Sequence, residues 1–295
     1  MTMAIGMAVD GVRLGHWTDA EGETGCSVVE FPEGTTASHE VRGGAPASRE
    51  LDLLEPDKTI ERVDAVMLTG GSAFGLAAAD GVMRYYAERG RGAPTPAGNV
   101  PIVPGLALFD LAVGDSAARP TAESGYAAAK ATQDEQRLSG RVGAGAGAYV
   151  SHWRGPDGRR PAGLGHAVHR LDGVIVEALC AVNAFGDVDA GGDISFDPVR
   201  ALPTAAGFDA GGSDTGRAHT TIGVVVTNAA LSKVECRILA QGAHDGLSRA
   251  LVPPHTRFDG DAFVAAATGE VETHVDVARL LAVAAVSDAI RSTAH

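Results

Sequence analysis

From Asp187 to Ala218 the chain runs for roughly 30 residues without a helical or strand period, rich in Gly, Asp, Ala and Pro. It then passes directly into Thr220–Thr227, TTIGVVVT, its most β-prone run. A structureless segment of that length inside a compact domain is functional or disordered. Here, taken as a flexible linker over 187–219, it ends against a strand whose first residue carries a hydroxyl. A cut between His219 and Thr220 would expose a threonine with a free amine. The hydroxyl of threonine is a weak nucleophile that needs a base, and an α-amino group of pKa ~7.7–8.0 is partly unprotonated at neutral pH. One residue would then supply both nucleophile and base. On their own, Thr220 and Thr221 read better as ordinary strand residues.

The rest of the chain alternates between strand-like and helix-like segments. Val63–Leu68 is a short apolar run closed by Thr69-Gly70-Gly71, and Ser72 is placed to cap a helix reaching about Arg89, with Leu76, Ala79, Met83 and Tyr86 on one face. Val100–Val113 is apolar but broken by Pro101, Pro104 and Gly105, which suits extended chain and a turn. A helix is expected from Pro120, in the first turn, to Lys130. The β-branched stretch around Asp172 to Ala184 predicts a buried strand ending near Asn183. Two more helices follow, about Leu231–Arg249, with Leu231, Val234 and Ile238 at helical spacing, and about Asp276–Ile290, burying Val277, Leu280, Leu281 and Ala284. The pattern is that of a mixed α/β fold with helices packed on sheet faces. There are 39 glycines in 295 residues, nearly twice the usual ~7%, and few aromatics, so close backbone approaches and a core of Ala, Val and Leu are expected.

Several function classes are disfavoured. With 24 Lys and Arg against 37 Asp and Glu the net charge is −13, which repels nucleic-acid backbones. The three cysteines, Cys26, Cys180 and Cys236, are odd in number and lie in no C-x-x-C pair, so neither a disulfide framework nor a cysteine zinc site is indicated and a reducing compartment fits. Met1–Asp10 has no basic leader pattern, and no apolar run approaches the ~18 residues of a membrane span; a cytoplasmic protein is expected. Gly143-Ala-Gly145-Ala-Gly147-Ala148 satisfies G-x-G-x-x-A, but no strand precedes it. Gly70–Gly75 has P-loop glycine spacing but is followed by Leu76 and Ala77 instead of Lys and Ser or Thr. There is no G-x-S-x-G or H-E-x-x-H, and His166 and His169 bring no further ligand and read as surface or loop histidines. No metal or cofactor is implied. Gly143, Gly145 and Gly147 would let backbone come close to a nucleophile or substrate, or simply pack.

Seven blocks recur in order from residue 12 to 261: Val12-Arg-Leu-Gly-His-Trp-Thr-Asp19, Arg42-Gly-Gly-Ala-Pro46, Thr69-Gly-Gly-Ser-Ala-Phe-Gly-Leu76, Gly143-Ala-Gly-Ala-Gly147, Val182-Asn-Ala-Phe-Gly186, Thr220-Thr-Ile-Gly-Val224 and Phe258-Asp-Gly-Asp261. Together they resemble the S58 peptidase family of DmpA-type aminopeptidases and nylon-oligomer hydrolases. The threonine and F-D-G-D are more similar to the nylon-oligomer branch. The resemblance implies an N-terminal-nucleophile amide hydrolase acting on short peptides or ω-amino-acid oligomers. It also implies an α/β fold, a layered sandwich of two β-sheets flanked by helices, forming one domain over 1–295. That domain would cut itself into 1–219 and 220–295 and assemble as a homo-oligomer.

By the same resemblance Thr220 is the nucleophile and its freed amine the base. Asn183 offers a side-chain N–H to the oxyanion, and Asp259 and Asp261 orient the Thr220 hydroxyl and amine. Without the family, the acidic pair would read as a solvated loop with an Asx turn at Gly260. Phe109 falls where relatives place a substrate-contacting aromatic, and Gly143 and Gly145 are taken as substrate-binding through their backbone. Two positions depart from the branch: His219 stands where Asn usually precedes the nucleophile, and His152 stands at the catalytic lysine, a weaker positive charge near neutrality. Within the same fold, acyl transfer of the ornithine-acetyltransferase kind is an alternative, and the two departures leave open a non-catalytic relative with a decayed site.

Overall fold

A computed structural model describes residues 6–189, 191 and 219–294, so most of the expected linker, 190 and 192–218, lies outside the described residues. The N-terminal half supplies β1 (Arg13–Asp19), β2 (Thr24–Glu30), β3 (Thr36–Val41), β4 (Ala47–Arg49), β5 (Ala65–Thr69) and β6 (Gly105–Ala107), with helices α1 (Ser72–Gly75), α2 (Ala78–Ala87) and α3 (Ala122–Lys130). The C-terminal half supplies β7 (Gly163–Leu171), β8 (Val174–Asn183), β9 (Thr220–Ala229) and β10 (Ala262–Val271), with α4 (Lys233–Ser248) and α5 (Val275–Arg291). One sheet runs β1-β2-β5-β6-β4 and the other β7-β8-β9-β10-β3, so β3 joins the second sheet from the opposite half of the chain.

The two sheets face each other. Val29, Val66, Leu68 and Leu106 of the first meet Leu179, Ile222, Val224, Val226 and Val264 of the second in one buried cluster. The outer face of the second sheet, with Ala178, Cys180, Val225, Phe263 and Ala265, carries α4 and α5. Cys26, Val28, Ala65 and Met67 on the outer face of the first carry α2 and α3. Strands covered on both faces lose the polar alternation of a surface strand, which is why TTIGVVVT reads as continuous apolar chain: β9 is buried at every position. It pairs antiparallel with β8, Asn183 opposite Thr220, and parallel with β10 from Ile222 opposite Ala262. The start of β9 therefore lies beside the end of β8 and the loop that leads into β10.

The layers are closer than the sequence periodicity suggests. The buried face of α5 is Ala278, Ala282, Ala285, Val286, Ala289 and Ile290, and Leu280, expected inside, is 69% exposed. On α4, Cys236, Leu239, Ala240, Ala243 and Leu247 are buried, whereas Val234 is 55% exposed. Burying a leucine yields ~1.5–3 kcal/mol, so a periodicity reading favours the largest side chains. Here small residues let the backbones approach: a Cβ on Gly246 of α4 would sit 2.6 Å from the Val283 carbonyl of α5. Large side chains at such contacts would hold the helices apart.

Four local expectations also change. Ser72 does not cap: Gly71 is the N-cap, in the left-handed region, and the helix expected to reach Arg89 is split into α1 and α2. Pro120 lies outside α3, whose N-cap is Thr121 in a reciprocal box with Ser124. His166 and His169 stand on β7, where His166 Nε2 is 2.6 Å from the buried Glu177 and His169 Nε2 2.9 Å from Asp288. The expected linker was too wide: Asp187–Val188 pairs with Leu251–Val252, and His219 bridges Asp259. All three cysteines are buried and free. Among the described residues no helix is long and apolar enough to cross a membrane.

Candidate active site

The sheet register brings Thr220, Asn183, Asp259 and Asp261 to one place. Thr220 opens β9 opposite Asn183, the last residue of β8, and both are buried. Asp259 and Asp261 flank Gly260 just before β10 and are also buried. The Thr220 hydroxyl donates to the carbonyl of His219, the residue before it. That same carbonyl accepts the Gly260 N–H at 2.9 Å. The Gly260 backbone can come this near only without a side chain, since a Cβ there would sit 2.7 Å from Thr220 Oγ1 and 2.8 Å from the Ala45 carbonyl.

The two carboxylates hold the surrounding backbone rather than the Thr220 hydroxyl. Asp259 accepts the Phe185 N–H at 3.1 Å with one oxygen, and the N–H of Thr256 at 3.0 Å together with its hydroxyl on the other. Asp261 accepts the Thr221 N–H at 2.8 Å, and its second oxygen takes the His255 N–H at 3.1 Å and lies 2.9 Å from His255 Nδ1. Burial, and next the neighbouring charge of Asp261, push the Asp259 carboxyl up to about 7.

Asn183 is held at both ends of its amide. Its Nδ2 donates to the Phe109 carbonyl at 2.8 Å, and its Oδ1 accepts the Tyr149 N–H at 3.1 Å. His152 Nε2 lies 3.2 Å from the Tyr149 carbonyl and 3.3 Å from Asn183 Oδ1. Both neighbours are acceptors, so Nε2 carries the hydrogen. Burial pushes His152 down to about 4, against the raising effect of these hydrogen bonds, so the ring is neutral at physiological pH. The partial positive charge expected at this position is therefore not supplied by His152; the ring packs 4.3 Å from that of His219 and steadies Asn183.

The remaining candidates take other places. Phe109 meets the cluster through its backbone carbonyl. Gly143, in the left-handed region, donates its N–H to Thr18 at 2.8 Å and leaves no room for a Cβ beside Ser27 and His16; Gly145 is equally tight against Leu164. This tract braces strands β1, β2 and β7. Sequence reasoning passed over His255 and Thr256, and gave Phe185 and Gly260 no part in the site beyond their blocks. The Pro253-Pro254 pair directly before His255-Thr256 is the one local signal that could have drawn attention to the first two. Among the described residues, no three His, Cys, Asp or Glu side chains converge as a metal would require.

A buried threonine hydroxyl on the preceding carbonyl, with that carbonyl also taking a backbone N–H, is an arrangement suited to acyl transfer at the His219–Thr220 bond. Comparison with known proteins shows the family. The profile of peptidase family S58 matches residues 7–295. An uncharacterised aminopeptidase of Mycobacterium leprae is 42% identical over 290 residues, 90% of this chain and 78% of the relative. A 6-aminohexanoate-oligomer endohydrolase of Paenarthrobacter ureafaciens is 30% identical over 276 residues, 89% of this chain and 74% of the relative. In fold, the L-aminopeptidase D-Ala-esterase/amidase of Ochrobactrum anthropi, described as a variant of the N-terminal-nucleophile hydrolase fold, superposes with a TM-score of 0.72 at 18% identity, covering 99% of this chain and 87% of that one. With two facing sheets between helical layers and these likenesses along nearly its whole length, the chain belongs to peptidase family S58, a family of amide-bond hydrolases.

Proposed function

We propose that the protein cuts itself before Thr220 and then uses Thr220 as an N-terminal nucleophile against amide bonds of short peptides or ω-amino-acid oligomers. The observation that carries this reading is the His219 carbonyl, clamped between the Thr220 hydroxyl and the Gly260 N–H. In self-cleavage Thr220 Oγ attacks the His219 carbonyl carbon, and the Gly260 N–H receives the charge that develops on its oxygen. The C–N bond breaks, the hydroxyl proton passes to the departing Thr220 nitrogen, and an ester joins His219 to Oγ. Water then hydrolyses the ester, leaving a carboxylate on His219 and a free hydroxyl and amine on Thr220.

In the second stage the Thr220 amine, with an ordinary pKa of ~7.7–8.0, takes the hydroxyl proton as Oγ attacks the substrate carbonyl. Asn183, fixed by Tyr149, Phe109 and His152, is the side chain assigned to the substrate oxyanion. Asp261 anchors the Thr221 N–H and so the start of β9. Intact-mass spectrometry tests the first stage: fragments ending at His219 and beginning at Thr220 are expected, and a chain that remains whole at neutral pH would overturn it. Release of amine from a chromogenic amide tests the second. The working form is proposed to be a homo-oligomer, which sedimentation shows as a species heavier than one chain.

A further inference from the structure

Beside the nucleophile lies a cavity of about 420 Å³ lined by Gly44, Ala45, Arg257 and Phe258. Two routes tie it to Thr220. The Ala45 carbonyl and Thr220 Oγ1 both come within 2.8 Å of the point where a Cβ on Gly260 would stand. Phe258 packs 5.7 Å from the ring of Phe185, which in turn packs 5.3 Å from that of His219. The wall is anchored to the aspartate loop: Ala45 N–H donates to the Asp259 carbonyl at 2.9 Å and Gly44 N–H to that of Thr256 at 3.2 Å.

Arg257 is exposed and, among the described residues, makes no ion pair or hydrogen bond. Other arginines of the C-terminal half are engaged: Arg154 is paired with Asp187, Arg237 with Glu40 and Glu55, and Arg279 with Asp245. In a protein of net charge −13, which repels anions at long range, this guanidinium puts a positive charge on the wall of the cavity next to the nucleophile. Its planar fork matches a carboxylate, and among the described residues no acidic side chain lines the cavity.

We propose that this cavity receives the C-terminal end of the substrate and that Arg257 pairs with its free carboxylate, so that the preferred amides are those one or two residues from a C-terminus. The inference rests on Thr220 as the nucleophile and adds the feature by which short substrates are chosen. The experiment compares Ala-Ala with its C-terminal carboxamide. In the wild type the free acid has the higher kcat/KM by about tenfold, the size of one charge-assisted hydrogen bond at a solvent-facing site, with the difference mainly in KM. In Arg257→Gln the ratio falls toward one, and in Arg257→Lys it is partly kept. An unchanged ratio in Arg257→Gln overturns the proposal, as does a wild type that prefers the carboxamide. If the wild type cleaves neither, short α-peptides fail as the substrate class, and the nucleophile is judged separately by intact mass and the chromogenic amide. Calorimetric titration of wild type and Arg257→Gln with the same two dipeptides then decides the pocket: preferential binding of the free acid that Arg257→Gln abolishes supports it, and its absence refutes it.

Discussion

Strand β8 carries a buried polar residue toward each end, and the two ends are built differently. Glu177 is fully buried and every oxygen is accounted for: one takes the Ala8 and Val9 N–H groups at 2.8 and 3.2 Å, the other faces His166 at 2.6 Å. That carboxylate ties the N-terminal segment to the sheet. At the Asn183 end two carboxylates, Asp259 and Asp261, are buried together, and Asp261 faces the His255 ring. A lone buried acid with donors around it is a fastening. Burial, and next the second acid in the pocket, raise one proton affinity, as at Asp259, and such perturbed groups cluster at functional sites.

The sharpest way to break this contrast is at the nucleophile. Thr220→Ala is expected to leave the chain whole and to lower amidase activity by at least about three orders of magnitude, read by intact mass and a chromogenic amide. Thr221→Val is the control. The Thr221 hydroxyl is buried without a partner among the described residues, and its N–H to Asp261 is main chain and survives the change. Cleavage and activity should persist in it. Equal losses in the two variants would displace the nucleophile from Thr220.

His152 should give the next largest effect. His152→Ala is expected to slow turnover by about tenfold by loosening Asn183, on the scale of one lost buried hydrogen bond. With its pKa near 4, the ring stays neutral above pH 5, so the wild-type profile should have no limb near 6.5 that the substitution removes. A limb that vanishes with His152 would restore a charged role.

Asp259 sharpens the contrast through pH. Its carboxyl is raised from 3.8 to about 7 by burial, so the stability it contributes as a neutral acid is full below about pH 4 and lost as pH rises through 7. Asp259→Asn should flatten the stability of the fold across that window in denaturant titrations. At the other end of β8, Glu177→Gln should lower stability by about 1–3 kcal/mol while the yield of cleaved chain stays the same. Loss of cleavage in that variant would erase the distinction between the two ends.

The residues that the fold brings together beside Thr220 were legible through the family resemblance, whose short blocks fall at strand ends. Thr220 opens the most β-prone run, Asn183 closes another, and Asp259 and Asp261 sit in one four-residue block. What could not be read depends on packing. The ionisation of His152 follows from burial beneath Tyr149 and His219, which no local pattern encodes. His255 reaches Asp261 through a turn whose geometry is not a motif. The faces of α4 and α5 were misjudged because Ala and Gly, not Leu, set the distance between layers, and a periodicity weighted by hydrophobic size looks past them.

The order of strands in the second sheet gives the proposed cut an unusual outcome. The segment following it contributes β9 and β10 side by side, and these are flanked by β8 on one edge and β3 on the other, both from the segment preceding it. The C-terminal piece is thus woven into the middle of a sheet owned on both sides by its former neighbour, with α4 and α5 laid over the seam. Severing one peptide bond would create a new chain end without creating a second particle. The pieces should travel together through a native sizing column and part only in denaturant, with the newborn amine kept at the position where it was made.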